Sequence, residues 1–197
     1  MRPGKERSAQ RFGRASGADI PYKMQKIVDD IEKRGNVSLT RLTVLKKWFE
    51  RPSRLPSFGI FIARRAVSHT RGTTEETREL FREAQSFLAD VDVFDPTIPR
   101  TGAARLCTRL EAFQSQYQKL KWTSVRVIHN MDLFFVESGL RLYLGNGASP
   151  AEGYRFAANY CEHYDPRYGT GLNGPSVDRI KEIVGFVLAI ESHENAG

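Results

Sequence analysis

The chain has 197 residues, with 30 Lys and Arg against 23 Asp and Glu, a net charge of +7, and 40% hydrophobic and 27% charged residues. That length suits one domain with a real core, and the balance excludes a disordered or low-complexity polymer. No run approaches the roughly 18 apolar residues needed to cross a bilayer, and the two cysteines, Cys107 and Cys161, are too few for a disulfide scaffold or a cysteine-based zinc site.

Residues 1–20 carry Arg2, Lys5, Arg7, Arg11 and Arg14 among Gly, Ser and Ala without apolar periodicity. With no hydrophobic block behind the cations, this reads as a flexible basic arm rather than a secretory signal or an amphipathic transit peptide. The expected setting is cytoplasmic, with both cysteines as small buried hydrophobes in a reducing compartment.

The helical period begins at Pro21, where Met24, Ile27, Val28 and Ile31 share a face and Gly35-Asn36 supplies a stop, so a helix is expected over 22–33. Ser38 is placed to cap a second helix carrying Leu39, Leu42, Leu45 and Phe49, closed by Pro52. The run 58–67 suits a strand or a buried helix. A helix capped by Ser57 is preferred, because an isolated strand has no partner.

Thr73 and Glu76 have capping-box spacing, followed by an apolar stripe of Leu80, Phe81, Ala84, Phe87, Leu88 and Val91. After a linker over 95–100, Thr101 opens a helix with Leu106, Leu110, Phe113, Tyr117 and Leu120. From Trp122 to Leu144 the apolar residues exceed one stripe, which predicts a central buried helix, the rival being two short strands. Ser149-Pro150-Ala151-Glu152 marks a helix start, and a final helix opens at Pro175 or Ser176 and closes near Ser192. The fold expected is mostly α: one domain of six or seven helices over 21–193, orthogonal or bundle-like, with a basic helix-turn-helix-like part over 21–71 and a helical core over 72–193.

Charge is uneven along this plan. Residues 33–71 hold ten Lys and Arg and one acid, Glu50, whereas 72–197 hold more acids than bases. Such a concentration favours a partner of opposite sign. A helix, a Gly-containing turn and a second helix have helix-turn-helix proportions, although two packed helices in any α protein look alike. The candidate nucleic-acid-binding residues are Arg34, Arg41, Lys46, Lys47, Arg51, Arg54, Arg64, Arg65 and Arg71. The bland alternative is a solvated face, with Arg64 and Arg65 paired to Glu75, Glu76, Glu79 or Glu83 of the next helix.

Two groupings bear on chemistry. His129 and Asp132 would share one face of a helix in the most apolar segment, an arrangement suited to tuning a base but also to structural hydrogen bonding. His163, Asp165, Arg167, Tyr168, Asn173 and Ser176 lie in or beside a Gly- and Tyr-rich connection that could present backbone N–H groups to an anion, or merely join two helices. No phosphate loop, nucleophile elbow or zincin helix is present. Neither a metal nor a cofactor is expected. The reading is a non-enzymatic protein that binds the DNA or RNA backbone. The alternatives are a module docking an acidic protein or a second copy of itself, and a small-ligand or enzymatic domain built on the loop from His163 to Ser176.

Overall fold

In the computed structural model the described residues are 19–35, 38–68, 74–118, 124–146, 148–162 and 176–196, with side chains described throughout except at 117, 118 and 124–130. Among them the chain is all α: α1 (Asp19–Arg34), a 3-10 turn (Leu39–Thr43), α2 (Val44–Trp48), α3 (Arg54–Ser68), α4 (Glu75–Leu88), α5 (Arg100–Gln118), α6 (Ser124–Leu144), α7 (Pro150–Glu162) and α8 (Val177–Ala196). No described residue is in a strand. The expected basic arm over 1–20, apart from Asp19 and Ile20, lies outside the described residues.

Local chemistry sets most boundaries. Proline lacks an N–H that the first helical turn does not use, so α1 begins at Asp19 and carries Pro21 in that turn. It ends at Gly35, which takes φ +69° and donates its N–H to the Ile31 carbonyl, a left-handed stop that Gly reaches without steric cost. The single helix expected from Ser38 is split instead. Ser38 caps a 3-10 turn by accepting from the Thr40 N–H, and a one-turn α2 follows, with Leu42, Leu45 and Trp48 all driven inward. A helix of one turn with a buried face is not the long recognition helix of a helix-turn-helix unit.

The capping box of α4 lies one residue beyond the expected one. Thr74 accepts from the Thr77 N–H and Thr77 answers to the Thr74 N–H, so two hydroxyls satisfy the end. Glu76 is left on the exposed side. Ser149 accepts from the Glu152 N–H as expected, whereas the Glu152 carboxylate turns to Arg155 at 2.5 Å. α6 is one continuous helix rather than two strands. It ends in a Schellman arrangement in which the Asn146 N–H reaches the Arg141 carbonyl and Gly145, at φ +80°, donates to Leu142.

α3 and α6 form the most extensive helix pair, with α5 also against α6, α4 against α3, and α1 against α8. The short α2 lies on α7. Trp48, Phe58 and Phe186 meet at ring separations of 6.1 to 6.4 Å, and Phe61 stacks on Phe186 at 4.3 Å. Phe156 extends this cluster from Phe58 to Phe135. Each such aromatic contact contributes on the order of 0.5–1.5 kcal/mol beyond its burial, so the cluster fixes α2, α3, α7 and α8 against one another.

Candidate functional site: the basic segment and the α6–α7 groove

The cations of residues 33–71 divide by position. Arg34, Arg41, Lys46, Lys47 and Arg51 are all exposed, along the end of α1, the 3-10 turn, α2 and the turn after it. Arg41 lies 3.3 Å from Asp30 and Arg51 2.6 Å from Glu194, with the two arginine side chains 48% and 56% exposed. The Lys46 ammonium rests 4.7 Å from the centre of the Tyr154 ring. These are surface interactions, individually worth about 0–1 kcal/mol and screened by salt.

The later cations are used inside the fold. Arg54 is 2% exposed, 2.6 Å from both Glu191 and Glu194, and donates to the Trp48 carbonyl at 3.3 Å. The Trp48 indole N–H donates to the same Glu191 at 2.8 Å. Arg54 is therefore a buried strut between α3 and α8, and its inclusion among outward phosphate contacts is corrected on that ground. Arg64 is half-buried and donates to the carbonyls of Ala89 and Val91, which closes the end of α4. Arg65 pairs with Glu182, which also accepts from the Tyr160 hydroxyl. Two acids of α4 are engaged by other arginines: Glu75 holds Arg78 and Arg82, and Glu83 holds Arg109. Arg71 lies outside the described residues.

The second expected constellation is only partly in view. His163, Asp165, Arg167, Tyr168 and Asn173 lie outside the described residues, and so does the side chain of His129. Asp132 is on α6 and 5% exposed. Ser176 is 2% exposed and structural: its hydroxyl accepts from the Arg179 N–H at 3.4 Å and its own N–H donates to the Cys161 carbonyl at 2.8 Å. It caps α8. Among the described residues, no three His, Cys, Asp or Glu side chains converge in a way that would hold a metal. No helix among them is long and apolar enough to cross a membrane.

One feature escaped the sequence reading. α6 and α7 diverge around an open cavity of about 390 Å³, with Glu137, Ser138 and Arg141 on one wall and Glu152, Arg155 and Asn159 on the other. Phe134 and Phe156 supply apolar surface. Glu137 is 4% exposed and meets Arg141 at 3.3 Å, the Ser138 hydroxyl at 3.4 Å and the Cys107 thiol at 3.9 Å. Burial holds its carboxyl above the usual carboxylate range, against the opposing pull of Arg141. The signal available in sequence was an acid in the apolar run of α6, five residues after Asp132 and four before an arginine.

Comparisons with known protein families, with characterised proteins and with solved structures found no match.

Proposed function

We propose that the protein is a non-enzymatic nucleic-acid-associated protein whose phosphate contacts are made by Arg34, Arg41, Lys46, Lys47 and Arg51. The observation that carries this reading is the exposure of all five within one run of chain whose single acid is Glu50. Two of them are engaged only by surface ion pairs, to Asp30 and Glu194. A polyphosphate backbone presents many charges at once, so it can draw exposed arginines from pairs of that strength, and Glu194 keeps Arg54 when Arg51 leaves it. Arg54, Arg64 and Arg65 are not part of the contact, because their guanidinium groups hold the fold. Backbone binding without base reading is the form proposed, since nothing distinguishes side chains that would reach base edges.

The test is fluorescence anisotropy of the full chain with labelled single-stranded RNA and duplex DNA over a salt series. With about four to five phosphates engaged, log affinity should fall against log salt with a slope of about 3 to 4.5. The triple variant Arg41→Glu, Lys46→Glu, Lys47→Glu should lose binding while keeping its circular-dichroism melt. Unchanged binding in that variant overturns the reading. An acidic protein partner, or a second copy of the chain, is the competing occupant of the same surface. No nucleic-acid binding, together with a salt-dependent increase in mass by light scattering, would favour the second copy.

A further inference from the structure

We propose that the groove between α6 and α7 is a binding site for a small zwitterion of the α-amino-acid class, with its ammonium on Glu137, its carboxylate on Arg141 and Arg155, and its side chain against Phe134 and Phe156. This site shares no residue with the proposed phosphate surface.

Three observations converge on that ligand chemistry. The first is a buried carboxylate held only by long contacts. Among the described residues Glu137 is one of the buried acids, and its contacts there are a 3.3 Å approach by a half-exposed arginine, a 3.4 Å hydroxyl and a 3.9 Å thiol. An ionised carboxylate has about four lone-pair directions to fill, and these long contacts leave room for a strong donor. A ligand ammonium supplies up to three N–H bonds and a full opposite charge.

The second is the charge pattern. The walls carry two carboxylates, Glu137 and Glu152, and two guanidinium groups, Arg141 and Arg155. A bare cation would meet two arginines, and a bare anion two glutamates. A molecule with both signs a few ångströms apart meets a partner for each. Arg141 and Arg155 are exposed, with side-chain exposures of 51% and 70%. In turning toward a ligand carboxylate each gives up an ion pair within its own helix, to Glu137 at 3.3 Å and to Glu152 at 2.5 Å, while the ligand ammonium takes the place of Arg141 on Glu137.

The third is size and polarity. About 390 Å³ is at the lower end of the roughly 300–1,000 Å³ of small-molecule sites, and the lining is mostly polar, with Phe134, Leu142 and Phe156 as its apolar part, which suits a charged ligand more than an apolar one. Phe156 is buried and Phe134 half-buried, so an apolar ligand side chain has a surface to cover. The exposed Asn159 amide lies at the rim.

Isothermal titration calorimetry on the full chain tests the assignment, using the twenty free amino acids and two blocked probes, N-acetyl-L-phenylalanine and L-phenylalanine amide. At least one free amino acid should bind with Kd below about 1 mM, and each blocked probe should bind at least tenfold more weakly than free phenylalanine or not at all. Glu137→Gln should weaken the best ligand more than tenfold. Because that side chain is buried, the double variant Arg141→Gln, Arg155→Gln serves as a second test on exposed positions, and it should also lose at least tenfold. No heat from any free amino acid, equal binding of the blocked probes, or full affinity in the folded double variant each overturns the proposal.

Discussion

Gly59 on α3 and Gly139 on α6 meet back to back: a Cβ on either would run into the carbonyl oxygen of the other. The two backbones touch where the most extensive helix pair crosses, and only hydrogen side chains permit it. Gly59→Ala or Gly139→Ala should therefore cost about 1–3 kcal/mol or more, since the obstruction is backbone and cannot rotate away. Gly185 on α8 is the internal control. It is exposed and a Cβ there meets nothing within 4 Å, so Gly185→Ala should gain about 0.5–1 kcal/mol from helix propensity alone. Urea midpoints of the three variants check the contrast, and equal effects at all three would refute the close crossing.

The division between inward and outward cations gives a second expectation. Arg54→Ala leaves Glu191 buried without its guanidinium partner and should cost about 3–5 kcal/mol. Arg51→Ala, three residues earlier, removes an exposed pair and should cost no more than about 1 kcal/mol. Chemical denaturation of both variants measures this. A mild Arg54→Ala would mean that α8 does not rest on this ion network.

The sequence made the helices legible and left the fate of their charges obscure, for one physical reason. Helix periodicity and end signals are local, so α1, α7 and α8 could be placed from Ile27 and Ile31, from Ser149-Pro150, and from Ile183 and Val187. The partners of Arg51, Arg54 and Arg65 are Glu194, Glu191 and Glu182, more than a hundred residues away on α8. Nothing in the segment 33–71 announces them: Arg64, expected beside the acids of α4, donates to the carbonyls of Ala89 and Val91, and Arg65 reaches Glu182. The strand alternative for α6 arose because burial on several sides erases the helical stripe. In the segment that begins at Ser38, Trp48 is buried beside Leu42 and Leu45 although it lies off the stripe expected there. The groove beside Glu137 is lined by residues of both α6 and α7, so it exists only once the two helices are packed together.

Cys107 and Cys161 should be inert in the native protein. Both are buried free thiols, and burial foremost pushes them up to about 11 and about 12. The thiolate is the reactive form, so at pH 8 each should react at least about a hundredfold more slowly with a disulfide reagent than after denaturation. Stopped-flow thiol titration with and without guanidinium distinguishes the outcomes. One rapidly reacting equivalent in native buffer would show that a cysteine is reachable from solvent.

Two glutamates on different helices should pull stability in opposite directions as pH changes. Glu194 is held below its ordinary value of 4.5, first by the hydrogen bond from Arg54 and then by the charges of Arg54 and Arg51, so its stabilisation is present above that value and is lost as pH falls through the depressed one. Glu137 is held above 4.5 by burial, with Glu111 adding to the effect and Arg141 opposing it. The native state binds that proton more tightly than the unfolded chain, so this contribution is complete below 4.5 and is lost as pH rises through the raised value. Thermal midpoints against pH for the parent, Glu194→Gln and Glu137→Gln should show it. The parent should lose its advantage over Glu194→Gln on acidification, and should lose ground to Glu137→Gln as the pH climbs from 4.5. Parallel curves for all three would mean that neither carboxyl is perturbed by folding, and a falling parent relative to Glu137→Gln at low pH would reverse the assigned sign.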